Sequence, residues 1–138
     1  MRHLKLRIWT IIFIGLDLLS KYVFYNFKYL NETTLIRPVL NKGISRSLPV
    51  PYLIIIGITI IGIVAFFWLF IKKKINRIIA SLLIAGTIGN LVDRIIYGGV
   101  RDFINVNIFN FPIFNLADTM LCIGVFIRIL VVMLEKKK

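Results

Sequence analysis

The 138-residue chain holds only six acids, and four of them, Asp17, Asp93, Asp102 and Asp118, lie within or beside strongly apolar stretches. A carboxylate at the centre of a membrane helix costs about 2.5–3.5 kcal/mol on insertion scales, so acids kept there mark function more often than surface acids do. Two carboxylates that share one proton can hydrolyse a peptide bond: one takes a proton from water while the other protonates the scissile carbonyl. Like charges about 3 Å apart cannot both ionise, so the pair provides both roles at once. Asp93, Asp102 and Asp118 converge at one level and leave the choice of pair open; Asp102 on a loop can approach Asp118 at a helix start, where the helix N-terminus favours negative charge. Other chemistries have little to draw on. His3 is the only histidine and Cys122 the only cysteine, which excludes an internal disulfide or a Cys-based metal cluster and leaves no His-built metal site or Ser–His–Asp triad. Ser20–Lys21 and Lys42…Ser45 offer the parts of a Ser–Lys protease. Neighbours in a helix do not face each other, however, and the polar loop around Lys42 does nothing to activate its amine.

The elements that must position these acids follow from composition. Hydrophobic residues make up 59% of the chain and charged ones 17%, and a soluble domain this small has too little interior to hide so much apolar surface. An integral membrane protein is expected. Spanning a hydrocarbon core about 30 Å thick takes roughly 20 apolar residues as a helix. Four stretches qualify, at about 8–25, 51–71, 78–97 and 114–134, and they predict an all-α membrane protein, a four-helix bundle forming a single domain over 1–138. Residues 8–16 have the outline of a signal peptide, but no small-x-small site follows and Asp17 and Lys21 come next, so a retained helix is expected.

The formal net charge is +12, and the basic residues bracket the apolar runs: Arg2, Lys5 and Arg7, then Lys72, Lys73, Lys74 and Arg77, then Lys136, Lys137 and Lys138. That placement argues for anchors against anionic headgroups rather than for nucleic acid. The positive-inside rule then puts both termini and the 72–77 turn in the cytoplasm, with 26–51 and 98–113 outside. Arg128 is expected to snorkel to the cytoplasmic face or to meet a lipid phosphate, Trp9 and Trp68 to anchor at interfaces, and Cys122 to be a small buried residue. In the outer loops, 103–109 alternates apolar residues with Asn105 and Asn107, and 33–40 is β-branched before Asn41-Lys42-Gly43. Both patterns predict strands and hence a small extracytoplasmic β-cradle.

Spacing brings the polar residues together. Asn115 and Asp118 share a helix face, as do Asn90, Asp93 and Arg94. Asp118 is placed four residues into its helix, about 6 Å from the outer boundary. Gly86 and Gly89 allow a neighbouring helix to approach. Asp17 and Lys21 stand in the favourable order for an i,i+4 ion pair, with Lys21 free to snorkel outward, and Asp93 next to Arg94 reads as a structural charge pair or an orienting group.

Five stretches together resemble the lipoprotein signal peptidases, or signal peptidase II, which are aspartic proteases of bacterial membranes. They are Asp17-Leu-Leu-Ser-Lys21, Asn41-Lys-Gly43-Ile-Ser45, Gly89-Asn90-Leu-Val-Asp93-Arg94, Val100-Arg-Asp102-Phe103 and Phe111-Pro-Ile-Phe-Asn115-Leu-Ala117-Asp118, in the family's order. The resemblance implies that Asp102 and Asp118 are the catalytic pair, supported by Asp17, Asn41, Gly43, Asn90, Asp93, Arg94 and Asn115. It implies a monomeric enzyme of the bacterial cytoplasmic membrane with its site facing the outer leaflet. Its partners would be diacylglyceryl-modified prolipoproteins, cleaved just before the lipidated cysteine, and membrane lipids; no metal or organic cofactor is needed. Two features depart from the family pattern: Arg46 follows Ser45 where an aromatic is usual, and the chain is short, which implies trimmed outer loops. The alternative is a small four-helix proton-coupled transporter, which would place its acid near the midplane, as Asp17 is. The other acids crowd one membrane face instead.

Overall fold

The computed structural model describes residues 2–26, 33–43 and 51–135. Lys28, Glu32, Ser45, Arg46, Lys136, Lys137 and Lys138 lie outside the described residues. In chain order the elements are helix α1 (Arg2–Lys21), which runs on into a π-helical turn (Tyr22–Asn26), strand β1 (Ile36–Asn41), helix α2 (Tyr52–Ile71), helix α3 (Arg77–Tyr97), strand β2 (Val100–Ile104) and helix α4 (Leu116–Glu135). The four helices are long and apolar enough to cross a membrane. The first helix starts at Arg2 rather than near residue 8, because Lys5 and Arg7 are good helix formers and continue the helix ahead of the apolar run.

α3 is the central helix. Asn76 caps its start by accepting from the Ile79 amide at 3.0 Å, and Gly98 ends it in the left-handed conformation (φ 67°) that only glycine takes without strain. Residues 79–87 are buried throughout, whereas α2 buries only Ile55 and Phe70 and turns Leu53, Ile61 and Val64 outward. A helix that is apolar all round and exposed in the protein alone is facing lipid.

Close contacts fix how the helices lie. A side-chain carbon at Gly86 would come within 2.6 Å of the Ala117 carbonyl, and one at Gly124 within 2.8 Å of Leu83. Position 86 of α3 thus meets 117 of α4 while position 83 meets 124, so the two helices are antiparallel and nearly touch by backbone. Ser81 Oγ lies 3.4 Å from the Leu6 carbonyl, and Lys21 donates to Asn90 at 3.1 Å, so α1 runs parallel to α3.

β1 and β2 form a two-stranded antiparallel sheet in which Val39 faces Asp102, Leu40 faces Arg101 and Asn41 faces Val100. The register breaks between Ile36 and Val39, around Pro38, which has no amide to give. The strand expected over 103–109 lies earlier. Beyond Asn105, whose amide still donates to the Leu35 carbonyl at 2.8 Å, the chain turns away, with Asn107, Phe109 and Asn110 at positive φ and the Asn107 amide turned onto Asn105 Oδ1. Asparagine tolerates such turns and breaks an alternating pattern that hydropathy alone reads as a strand. Phe114 returns to bridge Ile104, so α4 starts at Leu116 rather than at 114.

Candidate active site

Asn115 organises the site through elementary capping chemistry. It precedes the first residue of α4; its Oδ1 accepts from the Asp118 amide at 3.0 Å and its carbonyl accepts from the Thr119 amide at 3.2 Å. Its own amide donates back to Asp118 Oδ2 at 3.3 Å. This is a reciprocal capping box with Asn and Asp in place of the usual Ser and Glu. Capping therefore fixes the Asp118 carboxylate at the head of α4, where it is the third helical residue.

Asn115 Nδ2 then reaches both neighbours, donating to Asp102 Oδ1 at 2.6 Å and to Asn90 Oδ1 at 3.2 Å. Asn90 Oδ1 also accepts from Lys21 Nζ at 3.1 Å, which turns its NH2 toward Asp118 Oδ1 at 2.8 Å. On the other side, Asn41 Oδ1 accepts from the Gly43 amide at 3.1 Å and its Nδ2 donates to Asp102 Oδ2 at 3.1 Å. In each of the three asparagines an N–H donor occupies the carbonyl oxygen, so the NH2 group is left for a carboxylate. Asn41, Asn90 and Asn115, from β1, α3 and the start of α4, thereby bring Asp102 and Asp118 together.

Behind this pair stands a second group of charges. Lys21 is fully buried, bonded to Asp17 at 2.8 Å and 3.6 Å from Asp93. It does not snorkel outward as expected, because two carboxylates and the Asn90 oxygen compensate for its desolvation inside the bundle. Asp17 also accepts from the Ala117 amide at 2.8 Å, one of the unpaired donors at the α4 N-terminus. Gly89 makes room for it, since any side chain there would run into the Asp17 carboxylate. Asp93 does not pair with Arg94. It takes Arg101 instead, through the guanidinium at 2.8 Å and the Arg101 amide at 2.9 Å, while that guanidinium lies over the Tyr97 ring at 4.3 Å. The reason is geometric: adjacent helical residues point about 100° apart, whereas Gly98 turns β2 back onto α3. Asp93 thus pins the residue next to Asp102. Arg94 is half-buried, donates to the Asn90 carbonyl at 3.3 Å and makes no ion pair among the described residues. The Tyr52 hydroxyl donates to its carbonyl.

The two acids open onto a cleft of about 400 Å³, with Asn41, Asp102, Asp118 and Thr119 as its polar part and Phe111, Phe114, Cys122 and Ile123 among its apolar walls. Burial first, and the negative charge of Asp118 second, push the Asp102 carboxyl up to about 7, against the opposing hydrogen bonds of Asn41 and Asn115. Asp17 and Asp93 are fully buried and do not line this cleft. Three features escaped the sequence. Cys122 is exposed in the cleft wall rather than buried, and its i+4 spacing from Asp118 could have placed it there. Phe111 and Phe114 stand edge to face at 5.7 Å on the same wall. The third is the capping box itself: the sequence puts Asn115 and Asp118 on one helix face, and Asn-x-x-Asp at a helix start is the signal that could have found it.

A membrane bundle with an amide-held carboxylate pair at one end defines a class, and the comparisons with known proteins give the family. The model of signal peptidase (SPase) II matches residues 9–134, and the chain belongs to this family. It is 44% identical over 92 residues to the lipoprotein signal peptidase of Halalkalibacterium halodurans, covering 63% of this chain and 58% of that protein. It is 48% identical over 79 residues to that of Staphylococcus aureus, covering 53% and 48%. The chain thus spans about half the length of the curated relatives it matches. Two solved bacterial membrane enzymes share the fold: one at TM-score 0.78 and 28% identity over 96% of this chain and 89% of that one, the other at 0.76 and 30% over 94% and 92%.

Proposed function

We propose that the chain is an intramembrane aspartic endopeptidase that removes the signal peptide from diacylglyceryl-modified prolipoproteins, cleaving before the lipidated cysteine. The observation that carries the reading is the pair Asp102 and Asp118, both bonded to Asn115 and both lining one apolar-walled cleft. Family membership supports the substrate class.

Asp102 enters the reaction protonated and Asp118 ionised. Asp118 takes a proton from water, the water oxygen bonds to the scissile carbonyl carbon, and Asp102 gives its proton to the carbonyl oxygen. The resulting gem-diol collapses as Asp102 takes back a hydroxyl proton and Asp118 passes its own to the leaving nitrogen. The C–N bond breaks, and both acids return to their starting states. Asn41, Asn90 and Asn115 hold the carboxylates through neutral donors and leave this exchange open. Arg94 orients a backbone or headgroup oxygen of the substrate. Asp17, Asp93 and Gly43 fix the supports from behind. The enzyme works as a monomer, with both termini in the cytoplasm and the cleft at the outer leaflet. There the substrate enters sideways, its lipid chains in the membrane beside its signal helix. The acid expected near the midplane for a transporter, Asp17, is locked to Lys21 and the Ala117 amide, which disfavours proton carriage.

A gel-shift assay with a diacylglyceryl-modified prolipoprotein in detergent tests the reading, with the unlipidated precursor as control. Cleavage of the lipidated form alone is expected. Intact precursor in the presence of folded wild-type protein would overturn it.

A further inference from the structure

The other end of the bundle carries a second cavity, of about 480 Å³, between the α2–α3 turn and the last turns of α4. It lies far from Asp102 and Asp118: Arg77 on its rim and Asp93 at the acid end are sixteen residues apart on one helix, about 24 Å. Lys73, Lys74 and Arg77 line it from the turn, and Arg128 lines it from α4. The α4 residues Arg128, Val131 and Glu135 follow one another at i, i+3 and i+7, so a single helix face is turned to the basic turn. Lys73 is held at φ 57°, which closes the turn so that Lys74 and Arg77 border the same cavity. Against these four cations the lining has a single acid among the described residues, Glu135, which lies 3.8 Å from Arg128 and is 65% exposed. Ile75, Ile79 and Val131 add apolar surface to the wall, and Asn76 lies beside them. The α3 N-terminus is not itself the attraction, since the Ile79 amide is already taken by Asn76.

Cations gathered around a cavity repel one another unless an anion joins them, and a polar centre beside apolar wall at a membrane-helix end suits a headgroup. We propose that this basic cavity binds a phosphate-group anion. The headgroup of an acidic phospholipid and free phosphate share that chemistry. The inference does not depend on the proteolytic reading, since no residue of the cavity belongs to the cleft around Asp102.

The test is a thermal-shift titration of the full chain in neutral detergent with three probes: short-chain phosphatidylglycerol, short-chain phosphatidylcholine, and inorganic phosphate at matched ionic strength. The variant Lys74→Gln/Arg77→Gln/Arg128→Gln is compared with Lys5→Gln/Arg7→Gln/Lys72→Gln, which removes as many charges outside the cavity. Saturable stabilisation by phosphatidylglycerol over phosphatidylcholine is expected, weakened on the order of fivefold per cavity cation removed and little changed in the control. Binding of phosphatidylglycerol without phosphate assigns a lipid, and equal binding of inorganic phosphate assigns the free anion; both support the site. If the triple variant does not fold, Lys74→Gln alone, at an exposed turn position, carries the same test with about a fivefold loss. No preference for either anionic probe over phosphatidylcholine, or equal losses in cavity and control variants, would overturn the proposal.

Discussion

Two groups of carboxylates lie side by side at one end of the bundle, and their surroundings differ in kind. Asp17 and Asp93 meet cations, Lys21 for both and Arg101 for Asp93. Asp102 and Asp118 meet the amides of Asn41, Asn90 and Asn115, and no cation lies within ion-pair distance of either among the described residues. Burial alone does not separate the groups, since Asp102 is only 2% exposed beside Asp17 and Asp93 at 0%, while Asp118 is half-buried. Partner chemistry does. A carboxylate bridged to a cation is held in place by that charge and acts as a strut. A carboxylate held by neutral donors keeps its position and can still exchange a proton.

That contrast can be tested from either side. Replacing a proton-exchanging acid should remove chemistry: Asp102→Asn is expected to lower turnover by about 10²–10⁴-fold in the lipidated-precursor assay while the protein still folds. Replacing a strut should instead remove stability. Asp93→Asn leaves Arg101 and Lys21 short of a counter-charge, and unfolding measurements in detergent should show a loss of about 3–5 kcal/mol. Gly89→Ala forces a methyl against the Asp17 carboxylate, with an expected loss of about 1–3 kcal/mol in the same measurement.

The pH dependence sharpens the contrast further. With the Asp102 carboxyl near 7, turnover should fall about tenfold per pH unit above roughly that value as its proton is lost. The sign for stability follows from the same shift. The folded protein binds this proton more tightly than the unfolded chain does, whose acid titrates near 3.8. The contribution is therefore full below about pH 4 and fades as pH rises through about 7. Asp102→Asn should flatten that part of a stability-versus-pH curve, and an unchanged slope would mean that Asp102 is not the group responsible.

Much of this architecture was legible in the sequence. Helix placement followed from apolar run length, because spanning helices carry their own hydropathy signal. The convergence of Asn90, Asp93, Asn115 and Asp118 at one level followed from helical spacing. Pairing choices were not legible. Lys21 looked able to snorkel because a sequence does not show that Asp93 and Asn90, some seventy residues away, complete its surroundings. Arg101 displaced Arg94 as the partner of Asp93 because the turn at Gly98 is a tertiary event. The strand at 100–104 was read a few residues late, since alternation continues through asparagines that in fact turn the chain. Cys122 was read as buried from residue type alone, although its distance from Asp118 along the helix put it on the cleft side.

The most direct measurement compares Asp118→Asn with Asp93→Asn, scoring turnover per folded molecule and melting temperature in the same detergent. The expected result is a crossed pattern: Asp118→Asn loses turnover with its melting largely kept, and Asp93→Asn loses melting temperature while its surviving folded fraction still cleaves. Wild-type turnover by folded Asp118→Asn would contradict the division between reacting and supporting carboxylates.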